Sequence, residues 1–152
     1  MENLPTLDPQ TLQPYLLALL PVILLIILVP AILFCIVVHR ALAHCAPESR
    51  TMAPALAWLE LIPLFGLYWT FRVVRAVASS LHNEFVRRGL PTGPAPGKAI
   101  GTAYATLSAL SAIPLVNFVT MLPASVCWAA YCIRITSLTK RLDDPAGAIR
   151  PA

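Results

Sequence analysis

Few side chains in this sequence could do chemistry, and Glu60 is the most informative of them. It is the one acidic residue inside an apolar stretch, and it precedes Pro63 by three positions. An ionisable side chain at membrane depth is costly and by default indicates an ion or proton path. We expect instead that Glu60 pairs with Arg72 or Arg75, because the apolar sequence contains no second carboxylate that could complete a relay. A shallow position wetted by lipid headgroups is the other alternative.

Histidine and cysteine offer a second group of candidates, since His39, His44 and Cys45 lie close together and Cys35 precedes His39 by one helical turn. Two histidines five positions apart do not share a helix face as an i, i+4 pair does, so the metal-site signal is weak. We expect histidines at headgroup level and free thiols, with no metal, haem or other cofactor. No phosphate-binding loop, nucleophile elbow or carboxylate pair occurs, and the sequence does not predict an enzyme.

Composition places the chain in a membrane. The sequence is 58% hydrophobic and 12% charged, with a mean hydropathy of +0.74, whereas soluble domains are about 25% charged. Residues 15–38 contain no charged side chain, and about 20 apolar residues suffice to cross the hydrocarbon core. Residues 1–14 contain no Lys or Arg, which argues against a removable signal peptide. The segment is therefore predicted to remain as an anchor.

A five-residue phrase occurs twice in the apolar sequence, as Ile-Pro-Leu-Phe-Gly at 62–66 and Ile-Pro-Leu-Val-Asn at 113–117. In each copy a proline, which has no backbone donor, is followed three residues later by Gly or Asn, which take left-handed turns most easily. Hydrocarbon tolerates such a break only where protein or a cavity shelters it. The phrase predicts two helical hairpins that turn at Gly66 and Asn117.

The positive charges decide the sidedness of these hairpins. No Lys or Arg precedes the first apolar segment, so the N-terminus is predicted to face outward and the C-terminus to face the cytoplasm. If residues 52–74 and 99–133 were single crossings, the most basic loop would lie outside. Two hairpins instead place all the basic stretches in the cytoplasm. The alternative, in which 52–74 is one proline-kinked crossing, stays open.

The sequence therefore predicts an all-α integral membrane protein with one N-terminal transmembrane helix, two proline-turn hairpins and a basic amphipathic helix at the cytoplasmic face. The ingoing arm of the first hairpin spans only about 16 Å, which is short enough to be re-entrant. The predicted segments are an extracytoplasmic tail (1–14), a transmembrane helix (15–38), a cytoplasmic loop (39–51), hairpin 1 with the amphipathic helix (52–89), a Pro/Gly linker (90–98), hairpin 2 (99–141) and a cytoplasmic tail (142–152).

The stretch after the first turn carries the candidate interface. Tyr68 and Trp69 would sit in an interfacial aromatic belt. Arg72, Arg75 and His82 then follow at helical spacing, opposite a valine-rich face. We predict that this basic face meets anionic headgroups of the lipid bilayer. A solvated face, or one covered by a partner subunit, is the alternative.

The run 62–89, with its Ile-Pro-Leu-Phe and Tyr-Trp motifs and the pair Arg87-Arg88, resembles small multi-pass bacterial membrane proteins and domains of unknown function. In these families a second proline-asparagine turn, like that at 113–117, precedes the last helix. The resemblance implies this topology in a bacterial inner membrane, and it implies no activity.

Two function classes follow. The first is an accessory or scaffold subunit that packs against other membrane protein subunits through small residues, namely Gly101, Thr102, Ala103, Ala105, Ser108, Ser111 and Ala112. The second is a small oligomeric transporter or channel that uses Glu60. The net charge of +4 belongs to the basic loops, and no nucleic acid is needed to explain it.

Overall fold

The computed structural model describes residues 9–143, and every regular element in that range is a helix. The elements are α1 (Pro9–His44), a 3₁₀ helix (Pro54–Leu61), α2 (Phe65–Arg87), α3 (Lys98–Leu110) and α4 (Pro114–Asp143). Most of the predicted tail 1–14 and nearly all of the predicted tail 142–152 lie outside the described residues. The chain divides into two compact units, Met1–Leu33 and Phe34–Ala152.

The first unit consists, within the described range, of the N-terminal part of α1. Most of the large apolar side chains between Tyr15 and Val29 are exposed. The whole helix has 36 residues, which corresponds to about 54 Å. It continues to His44 rather than ending at Val38, so the first part of the predicted loop 39–51 is helical. His39 and Arg40 mark a polar boundary in the sequence but do not end the helix, because both residue types are tolerated in helices.

Two of the described helices are long and apolar enough to cross a membrane. They are the segment Gln13–His44 of α1 and the whole of α4. Helix α4 contains Pro123 in its interior, as α1 contains Pro14, Pro21 and Pro30. Internal prolines are more readily accepted in membrane helices than in soluble ones, because neighbouring groups satisfy the freed carbonyls.

The first predicted turn does reverse the chain. On the two sides of it, the Thr51 backbone N–H donates to Ser80 Oγ at 2.9 Å, and Trp69 Nε1–H donates to the Leu56 carbonyl oxygen at 2.9 Å. The 3₁₀ helix therefore lies beside α2, and residues 52–74 do not form one kinked helix.

The geometry of this turn differs from the prediction. The Phe65 N–H donates to the Pro63 carbonyl oxygen at 2.7 Å, and Leu64 between them has φ 64° and ψ −46°, which is a strained γ-turn. Gly66 was predicted as the turn residue, and this was wrong. It lies in the first turn of α2, where a Cβ would collide with the Glu60 carbonyl oxygen. Glycine is needed there for close backbone approach.

The second turn is also built differently from the prediction. Pro114 is the first residue of α4, a position where its missing N–H costs nothing. The Asn117 N–H donates to the Ile113 carbonyl oxygen at 2.9 Å as part of the new helix. Leu64 is the only non-glycine residue between 9 and 143 with positive φ, so the predicted left-handed conformation at Asn117 was wrong. The proline here starts a helix rather than leading into a left-handed residue.

The core of the second unit lies where α2 and α3 meet α4 and the end of α1. Gly101 lies in close contact with this core: a Cβ built on it would lie 2.5 Å from Val74 Cγ1 and 2.6 Å from Tyr131 Cε2. The largest fully buried side chains are Tyr131, Phe34, Phe85, Leu42, Leu81, Ile135 and Leu142.

One end of this unit is polar and joins three helices. From the end of α2, Arg88 donates to the Leu142 carbonyl oxygen at 2.7 Å and to the His44 carbonyl oxygen at 3.4 Å. These carbonyls lie at the ends of α4 and α1 as the structure describes them. The C-terminal ends of α1, α2 and α4 therefore lie together.

Candidate functional site

Helix α2 has two chemically distinct faces. Arg72 and Arg75 are exposed, and so is Ser79 on the same face. The opposite face is fully buried and consists of Val73, Val74, Val77 and Leu81. Protein therefore covers the apolar face of α2, and only the basic face is open to a membrane surface or to solvent.

The aromatic residues before the arginines are held at the start of α2. Trp69 stacks on Phe65 with ring centroids 5.1 Å apart, and the Arg72 guanidinium carbon lies 5.6 Å from the Trp69 ring centroid. This last geometry is a cation–π contact. Tyr68 is 63% exposed. His82 lies at the far end, where its Nδ1 is 3.1 Å from the Gly93 carbonyl oxygen, so this histidine connects α2 to the linker.

Among residues 9–143, Glu60 forms no ion pair with an arginine, and the prediction of Arg72 or Arg75 as its partner was wrong. Its Oε1 is hydrogen-bonded to the Thr70 hydroxyl. The same hydroxyl donates its proton to the Gly66 carbonyl oxygen at 2.7 Å. A hydroxyl has one proton to donate. Both contacts of Thr70 are satisfied when Glu60 is protonated and donates to Thr70.

The other carboxyl oxygen of Glu60 is buried and has no hydrogen-bond partner among residues 9–143. Tyr131 Oη and Trp128 Nε1 share this property. Buried polar atoms without partners are uncommon in native proteins, and each calls for an explanation. Within residues 9–143, Glu60 has no basic side chain as an ion-pair partner, and its Oε2 has no hydrogen bond. Both facts favour an uncharged carboxyl group.

Sequence reasoning missed the most highly connected carboxylate in the described part of the chain. The Glu84 side chain is fully buried. Its Oε1 lies 2.5 Å from Arg87 Nη2 and 2.6 Å from Arg88 Nε, and its Oε2 accepts the Ala46 backbone N–H at 3.0 Å. The Arg87 guanidinium, with the Ala46 N–H and Arg88, holds the pKa of Glu84 well below its usual range despite burial. The i, i+3 and i, i+4 spacing was the signal that could have found it.

The histidines and cysteines near the end of α1 have structural partners. His39 Nδ1 lies 3.2 Å from the Pro54 carbonyl oxygen, and His44 Nδ1 lies 2.8 Å from that of Arg40. Cys35 Sγ donates to the Ala57 carbonyl oxygen at 3.4 Å. Between residues 9 and 143, no group of three His, Cys, Asp or Glu side chains could hold a metal ion.

The small-residue surface of α3 is divided between the interior and the exterior. Gly101 and Ala105 are buried inside this unit and are not available to a partner, contrary to the prediction. The outward face has an open groove of about 740 Å³. The groove is lined by Ala95, Lys98, Ala99, Thr102, Ala103, Thr106 and Leu107.

Comparison of the chain with protein-family profiles, with curated proteins and with solved structures finds no match. The resemblance to small bacterial membrane proteins therefore stays a prediction.

Proposed function

We propose that this chain is a small multi-pass integral membrane protein of the bacterial inner membrane, where it serves as an accessory or scaffold subunit. The observation that carries the proposal is a set of large apolar side chains exposed along α4. They are Leu115, Phe118, Val119, Leu122, Val126 and Ile133, of which the first two are each 86% exposed. Burying one such side chain is worth about 1.5–3 kcal/mol, and soluble monomers rarely expose so large an apolar surface.

The joined polar end supports the proposed orientation. Arg88 bonds to the ends of both α1 and α4. The basic stretches 39–50, 72–98 and 134–152 each include or adjoin one of these three helix ends. If all three basic stretches lie on the cytoplasmic side, the chain follows the positive-inside rule. The N-terminus would then face outward and the C-terminus inward.

The groove on α3 offers the contact for another subunit. Ala99, Ala103 and Thr106 follow one another at helical spacing on the outward face, and small side chains allow another helix to approach closely. Lys98 is the one charged residue in the groove lining. The occupant we propose is an apolar transmembrane helix of an unlike subunit, in a complex surrounded by lipid.

Tagged protein extracted in mild detergent and weighed by native mass spectrometry tests this function. We expect co-purification with unlike membrane subunits, and we expect Ala103→Leu, which fills the groove, to lose them. Ser79→Leu, which adds the same side chain on an exposed face of α2, is the matched control and should retain them. A homo-oligomer without other subunits would contradict the accessory role.

The second candidate is a small proton-coupled transporter or channel, favoured by the unpartnered buried oxygen of Glu60. An uncharged carboxyl group at membrane depth can carry a proton. Under this alternative, proteoliposomes with the wild-type chain show proton flux and those with Glu60→Gln do not. Under the accessory role, neither shows flux above empty liposomes. Glutamine keeps a donor toward Thr70, so the variant should fold.

A further inference from the structure

A second basic site lies away from α2, between the linker and α4. A cavity of about 580 Å³ is bounded on one side by residues 91–97 and on the other by Arg134, Leu138 and Arg141. The two arginines are seven positions apart on α4, which puts them on one face of the helix, about 10 Å apart along its axis. The cavity therefore has two guanidinium groups on the same wall.

The opposite wall is held in place by its own sequence. It contains Pro91, Pro94 and Pro96, each with a fixed φ. His82 contacts the Gly93 carbonyl oxygen in its middle, and it ends at Gly97, whose φ of 77° leads into α3. The wall is thus fixed before any ligand arrives, which lowers the entropy cost of binding.

The arginines are not neutralised by the part of the chain that the structure describes. Within residues 9–143, neither Arg134 nor Arg141 has a carboxylate within salt-bridge distance. Glu84 is engaged by Arg87 and Arg88, and Asp143 faces His44 at 3.5 Å. Two guanidinium groups on one wall, to which residues 9–143 bring no carboxylate, suit a phosphate group, which accepts their forked hydrogen bonds.

We propose that this cavity binds a phosphate group, and that the phosphate belongs to the headgroup of an anionic phospholipid. The apolar exposed face of α4 extends to Ile133, which directly precedes Arg134. A lipid lying along that face would bring its phosphate to the level of the arginines, with Leu138 beside the glycerol and upper acyl carbons.

Nanodiscs of phosphatidylcholine with a minor fraction of phosphatidylglycerol provide the first test. Native mass spectrometry should show that the wild-type chain retains phosphatidylglycerol. The double variant Arg134→Gln/Arg141→Gln should bind it about 30-fold more weakly. Lys140→Gln, which removes a neighbouring exposed charge outside the cavity, is the matched control and should bind as the wild type does. Equal losses in the control and the double variant would overturn the proposal.

Inorganic phosphate titrated into pure phosphatidylcholine nanodiscs provides the second test. If inorganic phosphate binds with the same dependence on the two arginines while phosphatidylglycerol does not, the lipid source is overturned and the phosphate site stands. If neither probe binds, the whole proposal is overturned. This second test does not depend on partner subunits, so its failure is distinguishable from failure of the accessory function. Both arginines are exposed, and unchanged circular dichroism of the double variant would show that it folds.

Discussion

Replacing Glu84 with glutamine removes the charge at the centre of the polar end. The side chain is fully buried, whereas the side chains of its partners Arg87 and Arg88 are 49% and 33% exposed. Glutamine keeps the shape and one acceptor oxygen for the Ala46 N–H. It loses the charge-assisted bonds to both arginines. We expect Glu84→Gln to destabilise the joint between α1, α2 and α4.

The magnitude follows from the exposure of the partners. Breaking a buried ion pair costs about 3–5 kcal/mol when the remaining charge is trapped. Here both arginines can turn to water, so the smaller cost of losing a hydrogen bond to a charged group, about 2–3 kcal/mol, is the better guide. For a chain of this length, that corresponds to a fall in Tm of about 4–12 °C.

Buried thiols provide the assay. Cys35 and Cys45 are 0% and 2% exposed, so they react with a thiol-specific fluorophore only as the protein unfolds. With Cys127 and Cys132 replaced by serine, thermal unfolding in detergent is then followed as fluorescence. Exposed Glu48 provides the control, and Glu48→Gln should stay within about 0.5 kcal/mol of the wild type. Equal melting temperatures for the two variants would refute the role given to Glu84.

The same residue predicts a pH dependence. In the unfolded chain the pKa of a glutamate is about 4.3, and in the folded protein that of Glu84 is held below its usual range by Arg87. The stabilisation is therefore complete above the unfolded pKa and is lost as the pH falls below it toward the folded pKa. The difference in Tm between the wild type and Glu84→Gln should be constant from pH 7 to about pH 5 and should shrink below about pH 4. A difference that shrinks already between pH 7 and 6 would contradict this assignment.

Further predictions concern the packing, the first turn and the basic face. Gly101→Ala should destabilise the protein by about 1–3 kcal/mol because its Cβ has no room. Gly93→Ala is the control and should not destabilise it, because a Cβ there meets nothing within 4 Å. Equal melting temperatures for these two variants would contradict the close helix contact at Gly101. Leu64→Gly should raise the stability by about 1 kcal/mol, because glycine adopts a positive φ without the strain that leucine has there. The Leu64 side chain is 83% exposed, so its removal costs little packing. A loss of stability would refute the strain at this turn. Arg72→Gln/Arg75→Gln should reduce the extra thermal stability conferred by phosphatidylglycerol over phosphatidylcholine, by about 1 kcal/mol per arginine; an unchanged lipid preference would argue for a solvated face.

The sequence was most informative where a pattern depends on many residues. The uncharged run 15–38 predicts a long helix, and Pro63 and Pro114 predict where the chain turns. Both predictions depend on residues that are neighbours in the sequence, and neither depends on how the helices pack. The faces of α2 also followed from periodicity.

Details that depend on single contacts could not be predicted. The left-handed residue at the first turn is Leu64 rather than Gly66, because the close approach of the Glu60 carbonyl oxygen reserves glycine for another position. The partner of Glu60 is Thr70, which its spacing alone does not reveal. The burial of Glu84 depends on how the ends of α1 and α4 dock around it, and this information is tertiary.

The central claim is that the chain enters the membrane and returns twice, so that its basic stretches share one side. Single cysteines at Asn3, Glu48, Gly93 and Ala148, in a chain without native cysteines, test it by labelling with a membrane-impermeant thiol reagent in intact bacterial cells. Position 48 reports on the first basic stretch because Glu48 is exposed, whereas the native Cys45 is buried. We predict that only the cysteine at position 3 reacts, and that positions 48, 93 and 148 react after the membrane is permeabilised. Labelling of position 93 but not position 48 in intact cells would contradict the account.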